Sequence, residues 1–348
     1  MDSLNINHKR ARDLLEWYDA HGRELPWRVK GGARAQPYHV WLSEIMLQQT
    51  TVPAVAPYFA KFLKAFPALE DLASAPDALV MEMWAGLGYY ARARNLLKCA
   101  RVLVAEHGGA FPQDLDGLKA LPGIGDYTAA AIRSIAFNKP AAVVDGNVER
   151  VITRLYAMRD ELPKIKPQIK TYVAQMVPED RPGDFAQATM DLGATICTPA
   201  NPKCMLCPWA SDCQARALGA QNTFPVKPPK KKKPKRYGTV YWLESAGSVH
   251  LVRRPDKGLL GGMLALPSTP WGDSMDVEDA PPVPGDWRAL TEQVRHVFTH
   301  FELHLTVKVF SAPQQPALTQ GEWKEITPAL PGTLPTVMKK AAKLALTR

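Results

Sequence analysis

Four of the five cysteines fall in one short loop, Cys197-x6-Cys204-x2-Cys207-x5-Cys213, which Pro199, Pro202 and Pro208 stiffen. Thiols this closely clustered in a cysteine-poor chain read as metal ligands rather than as a disulfide framework. The six-two-five spacing suits a [4Fe–4S] cluster. Structural zinc is the alternative, although its usual form is two separated Cys-x2-Cys pairs. Cys99 stands alone in a helical run and reads as a buried apolar filler.

Two carboxylates could do acid–base or nucleophilic work. Asp145 follows the apolar pair Val143-Val144 and precedes a helix that should begin near Asn147. An aspartate there could simply be a helix cap, but Asn147 is the better placed cap, which leaves Asp145 free. Glu44 lies in Trp41-Leu42-Ser43-Glu44-Ile45-Met46-Leu47-Gln48-Gln49-Thr50. On a helix it shares a face with Gln48, one turn on. Partial burial beside Trp41 would raise its pKa toward neutrality and make it a general acid, whereas an ordinary exposed helix glutamate would do nothing.

The elements that must position these groups are legible around Leu121-Pro122-Gly123-Ile124-Gly125-Asp126-Tyr127-Thr128. A helical pattern precedes it (Leu115, Leu118, Leu121) and another follows (Ala129, Ile132, Ile135, Ala136), so the pair Gly123 and Gly125 forms the turn of a helix-hairpin-helix. Its backbone can approach a phosphate closely, which binds DNA without reading sequence. In Gly86-Leu87-Gly88-Tyr89-Tyr90-Ala91-Arg92-Ala93-Arg94, aromatics beside cations suit a surface that wedges into stacked bases. A helix start with core tyrosines would read the same.

The 348 residues allow two domains. Helical spacing dominates residues 1–218, and residues 219–236 turn to Pro and Lys, a linker too polar to order itself. Residues 237–348 carry short strand-like runs, Thr239–Leu243, Val249–Val252 and Leu303–Phe310, with a terminal helix from about Pro335, an α+β pattern. The net charge of +9 is weak evidence for a nucleic-acid partner, because seven positive charges lie between residues 227 and 236. Neither a membrane-length apolar run nor a signal peptide is evident, so an intracellular, cytoplasmic and nucleoid-associated monomer is expected, with no membrane partner.

Leu121-Pro122-Gly123-Ile124-Gly125, Val144-Asp145-Gly146-Asn147-Val148 and the cysteine loop together resemble the endonuclease III superfamily of helix-hairpin-helix DNA glycosylases, over about Leu14 to Gln214. Within it, the Trp41–Thr50 and Gly86–Leu96 stretches resemble the adenine DNA glycosylase (MutY-type) branch. The fold implied is mostly α with a [4Fe–4S] loop at 197–213, held by Cys197, Cys204, Cys207 and Cys213. Lyase-active relatives place a nucleophilic lysine where this chain has Tyr127, and a phenol cannot form a Schiff base, so a monofunctional enzyme without strong lyase activity is expected.

The resemblance further implies that Glu44 donates a proton to the adenine ring and that Asp145 attacks or stabilises the resulting sugar cation. Tyr127 and Asn147 match residues that hold the reacting groups, Trp27 and Arg28 match the wall of the adenine pocket, and Gln49 and Tyr89 match side chains that enter the base stack. Leu251–Gly262 and Arg295–Phe301 resemble the family's C-terminal Nudix-like domain, in which the loop Phe298-Thr299-His300 would read 8-oxoguanine opposite adenine. The family often has serine where this chain has Thr299. The hydrolytic Nudix box fails, because Asp286 and Trp287 stand where Arg-Glu belongs after Gly272 and Glu278. The expected substrate is therefore duplex DNA with adenine opposite 8-oxoguanine or guanine. A glycosylase for another mismatched base and a non-enzymatic iron–sulfur DNA-binding sensor are the alternatives.

Overall fold

The computed structural model describes residues 3–29, 35–229, 232–255 and 258–347. Lys230 and Lys231 of the basic segment, and Asp256 and Lys257 of the Leu251–Gly262 stretch, lie outside them. The chain divides into two compact units, one of residues 1–74 and 98–229, the other of residues 75–97 and 230–348. The second unit thus takes in Ala75–Leu97, which pattern alone assigned to the helical part.

The first unit is helical. Gly146–Leu155 shows why: Val148, Val151, Ile152 and Leu155 fall on one face at i, i+3, i+4 and i+7, and all four are buried. They pack with Leu14, Ile169, Phe185, Leu192 and Trp209 in one apolar core. Pro182 starts the Pro182–Thr195 helix and Pro37 starts Pro37–Leu47, positions where a missing N–H costs nothing. Helix Leu115–Ala120 is capped by Asp114, whose carboxylate accepts from Gly117 N–H at 2.8 Å.

The hairpin follows. Gly123 has φ 77°, a left-handed turn that a side chain would strain, while Gly125 has ordinary φ and open space where a Cβ would stand. Helix Asp126–Ala131 then runs into a π-helical turn, Ile132–Ala136. The Ala-rich run is therefore not one regular helix. Gly183 packs so closely on this turn that a Cβ there would come within 2.6 Å of the Ser134 carbonyl oxygen.

The supposed linker is also shorter than its composition suggests. Phe224 is buried and the Leu162 N–H donates to the Val226 carbonyl, so a single apolar anchor fixes residues near 221–226 to the first unit. At its other end, Lys235 and Arg236 already belong to a strand.

In the second unit β1 (Lys235–Ser245), β2 (Ser248–Arg253), β3 (Leu264–Ala265), β4 (Arg288–Val297), β5 (Glu302–Ser311) and β6 (Glu322–Glu325) form a mixed sheet ordered β3-β2-β1-β5-β4, with β6 on β2. β1 and β5 pair in parallel from Lys235 with Glu302 to Glu244 with Ser311. Alternate residues of β5, Leu303, Leu305, Val307 and Val309, are buried, the period expected of a strand with one face on a core. The helix Thr336–Leu346 covers that side through Val337, Met338, Ala341 and Ala342. Trp287 packs on Tyr241 and Phe310, so the residue that interrupts the Nudix box serves the core.

Candidate active site and cysteine loop

A cavity of about 1030 Å³ opens in the first unit, bordered by the Pro37–Leu47 helix, the helix behind the hairpin, the start of Gly146–Leu155 and the Pro182–Thr195 helix. Glu44, Gln48, Gln49, Tyr127, Asp145, Asn147, Trp27, Arg28 and Gly125 all line it. Residues separated by a hundred positions in sequence therefore share one space.

Glu44 is buried at 5% exposure and accepts one hydrogen bond, from the Tyr127 hydroxyl to Oε2 at 2.8 Å. Burial pushes its pKa up to about 7, and the negative charge of Asp145 adds to this, while the Tyr127 bond and the Arg28 charge pull the other way. The Tyr127 phenol is itself driven up by burial and by both carboxylates, so it stays a neutral donor. Gln48, on the same face as Glu44, donates from Nε2 to Thr128 Oγ1 at 3.2 Å.

Asp145 sits in a different environment. Oδ1 accepts from the backbone N–H groups of Asn147 (2.9 Å) and Val148 (2.7 Å), and Oδ2 accepts from Asn147 Nδ2 (2.9 Å). Burial raises its pKa too, but these three bonds favour the carboxylate. Of the two acids, Glu44 is the one built to hold a proton and Asp145 the one built to stay charged.

Here the sequence expectation fails in one respect. Asp145 is itself the N-cap of Gly146–Leu155, and Asn147 is not. The extended backbone at Asp145 (φ −97°) aims its carboxylate back at the first free N–H groups, whereas Asn147 is already helical and spends its side chain on Asp145. The same carboxylate caps and faces the cavity.

Asn147 is fixed from behind. Its Oδ1 accepts from Arg150 Nη2 at 2.9 Å, and the same nitrogen donates to the Gly193 carbonyl at 2.6 Å, while Arg150 Nε donates to the Cys197 carbonyl at 2.7 Å. Arg154 reaches the same loop, donating to the carbonyls of Thr198 and Pro199 and to Cys197 Sγ at 3.4 Å.

Cys197, Cys204, Cys207 and Cys213 border one small cavity of about 30 Å³, with Arg154, Arg216 and Gln221 on its wall. Among the described residues no group of three or more His, Cys, Asp or Glu side chains stands ready to hold a metal ion. The fit rests on donor chemistry instead: four thiols share one small space with Ile196, Pro202 and Ala210, flanked by two cations and the Gln221 amide. Burial and the neighbouring sulfurs push the Cys207 thiol up to about 12 and Cys213 upward as well. A cationic group among them would remove that penalty.

Residues 42–177 match the HhH-GPD superfamily base excision DNA repair protein family, and residues 239–344 match the NUDIX domain. Over 353 residues the chain is 36% identical to human adenine DNA glycosylase, covering 83% of this chain and 64% of the human protein. It is 34% identical to the mouse adenine DNA glycosylase, covering 95% of this chain and 77% of that protein. The chain belongs to the adenine DNA glycosylase family. It spans less than two thirds of the human member's length. A thermostable thymine-DNA glycosylase structure superposes with a TM-score of 0.56 at 31% identity, over 62% of this chain and 100% of that one.

Family membership gives the remaining expected residues their context. Tyr89 lies in the second unit, exposed and left-handed (φ 48°), and its hydroxyl shares a 3.1 Å hydrogen bond with Thr299 Oγ1. Thr299 and His300 are exposed, whereas Phe298 is held between His296, Phe301 and Trp271. Gln49 is likewise exposed and left-handed (φ 58°). Gly123 does not line the cavity; it shapes the hairpin turn.

Sequence reasoning missed the contribution of Pro182–Thr195. Gln187, Met190 and Ala194 line the cavity, and Asp191 lies just behind it. The signal was available: Gln187 and Asp191 are polar residues four apart on a helix face that otherwise reads as core.

Proposed function

We propose that this chain is a base excision glycosylase that flips adenine out of duplex DNA, where it is mispaired with 8-oxoguanine or guanine, and hydrolyses its bond to the sugar. The observation that carries this reading is the pairing in one cavity of a buried carboxyl held near pH 7 and a carboxylate held by three hydrogen bonds. Such a pair is what departure of a poor leaving group requires: Glu44 protonates the base and Asp145 meets the cationic sugar. Tyr127 orients the acid, Trp27 and Arg28 wall the base, and the Gln187 amide can read its edge. A mispaired adenine costs less to extrude than a paired one.

The Phe298-Thr299-His300 loop, exposed at Thr299 and His300, and Tyr89 supply recognition of the opposite base, and Gly123 and Gly125 anchor a phosphate. The four thiolates of the cysteine loop would hold a [4Fe–4S] cluster, and Arg150 and Arg154 brace the loop at Cys197. When bound, such a cluster would supply positive charge among the thiolates. Tyr127 leaves the cavity without the amine of the lyase branch, so strand cutting awaits alkali. The protein acts as an intracellular monomer; among the described residues no helix is long and apolar enough to cross a membrane.

The test is incubation of the iron-loaded protein with duplexes holding adenine opposite 8-oxoguanine, guanine or cytosine, with strand breaks scored before and after alkali. Alkali-dependent breaks at adenine opposite 8-oxoguanine are expected. Their absence refutes the glycosylase reading, and breaks without alkali refute the monofunctional one.

A further inference from the structure

Behind the cavity, the Pro182–Thr195 helix carries a carboxylate for which the chemistry above gives no role. Asp191 is fully buried, yet it does not line the cavity. Its oxygens accept four hydrogen bonds, from Arg28 Nη1 (2.7 Å) and Nη2 (2.8 Å) and from Arg23 Nε (2.7 Å) and backbone N–H (2.8 Å). The Arg28 side chain is 7% exposed and grips both oxygens of Asp191 in the two-pronged geometry that fixes a guanidinium plane.

This grip matters because of what else Arg28 faces. Arg28 and Glu44 line the same cavity, and an uncompensated guanidinium there would hold Glu44 as carboxylate, the wrong form for a proton donor. The other charged or titratable groups acting on Glu44 are Tyr127, from the helix behind the hairpin, and Asp145, from the start of Gly146–Leu155. On Glu44's own helix, His39 is turned against Tyr38 and Phe59. At the cavity mouth Lys166 is paired with Glu149 at 2.8 Å, and Asp126 with Lys170 at 3.8 Å. Arg23 also lines the cavity, but Arg28 is the cation that acts on Glu44, pulling its carboxyl toward the ionised form against the larger effect of burial.

Resting on the glycosylase reading of the cavity, we propose that Asp191 is a positioning residue that neutralises Arg28, letting Arg28 wall the base pocket without ionising Glu44. Arg28 then offers shape and hydrogen bonds to the base while Asp191, which also pairs with Arg23, offsets part of its charge. Arg23, bound to the same carboxylate, fixes the loop that presents Trp27.

The proposal is tested by the pH dependence of single-turnover adenine release, measured with the iron-loaded full chain. Release falls as pH rises through the titration of Glu44. In Asp191→Asn the exposed charge of Arg28 should move this alkaline limb down by about one pH unit, an approximately tenfold loss at a pH about one unit or more above the wild-type midpoint. In Arg28→Gln/Asp191→Asn the limb should return to its wild-type position or above it, and Asp191→Glu, which keeps the charge, should leave it in place. The limb's position does not depend on how much protein folds, so a poor yield does not blur it. A lower plateau with an unmoved limb in Asp191→Asn would make Asp191 merely structural and overturn the proposal, as would a double variant that keeps the shifted limb. Those outcomes leave an active wild type; a wild type that releases no adenine at any pH fails the glycosylase reading itself.

Discussion

Replacing Glu44 by Gln should stabilise the protein while it abolishes catalysis, and the stabilisation should depend on pH. Burial moves the Glu44 carboxyl from the ordinary 4.5 up to about 7. Between these values the folded protein retains a proton that the unfolded chain has lost, so the native state loses stability as pH rises through that window. Above pH 7 the whole cost of holding a buried carboxylate is present. A difference of about 2.5 pH units corresponds to about 3.4 kcal/mol. Glutamine removes the charge and can still accept from the Tyr127 hydroxyl, now 2.8 Å from Oε2. The expected gain is therefore about 2–3 kcal/mol at pH 8 and close to zero at pH 4.5, which for a unit of this size raises Tm by about 4–10 °C at the higher pH. Paired thermal melts of the iron-loaded wild type and variant at the two pH values measure it. An equal change in Tm at both, or a less stable variant at pH 8, would refute the assignment of Glu44 as the buried, protonated acid.

Asp145 has two jobs that substitution can separate. Asp145→Asn retains a competent cap and should bind duplex and melt like the wild type with little turnover, whereas Asp145→Ala should also lose about 1 kcal/mol of stability in chemical denaturation. Equal loss of folding and turnover in Asp145→Asn would make the residue structural. A Cβ at Gly193 would stand 2.6 Å from Asn147 Cβ. Gly193→Ala should push Asn147 off Asp145 and slow adenine release by about 10–100-fold with duplex binding kept, an expectation that full activity would contradict. Arg150→Ala removes the donor to the Cys197 and Gly193 carbonyls. Partners of this kind are worth about 10–100-fold in metal affinity, so iron content after dialysis against a chelator should fall; unchanged iron would sink the idea that Arg150 supports the loop.

Much of the cavity could be read from sequence because its residues sit beside strong local signals. Gly123 and Gly125 mark the hairpin, and the amphipathic run from Val148 marks the helix that follows Asp145. The error over the cap came from treating capping and chemistry as competing uses of one residue, when an N-terminal position provides both the N–H donors and the cavity wall. What Asp191 and Arg150 do was not legible, for a different reason. Each works by pairing across the fold, Asp191 with Arg28 and Arg150 with Cys197, and neither partner leaves a mark near it in the chain. The π-helical turn after Ala131, on which Gly183 packs closely, was equally hidden.

The left-handed backbone at Gln49 and Tyr89 exposes a conflict between two kinds of selection. Glycine or asparagine relaxes in that conformation, and an ordinary side chain there costs about 1 kcal/mol or more. A library screened for heat resistance alone should therefore accumulate Gly or Asn at both sites, trading away the glutamine amide and the tyrosine ring. Under the proposed function, variants enriched in this way would survive hotter and bind mispaired duplex worse, which makes these two positions the ones to lock before any attempt to engineer a hardier enzyme.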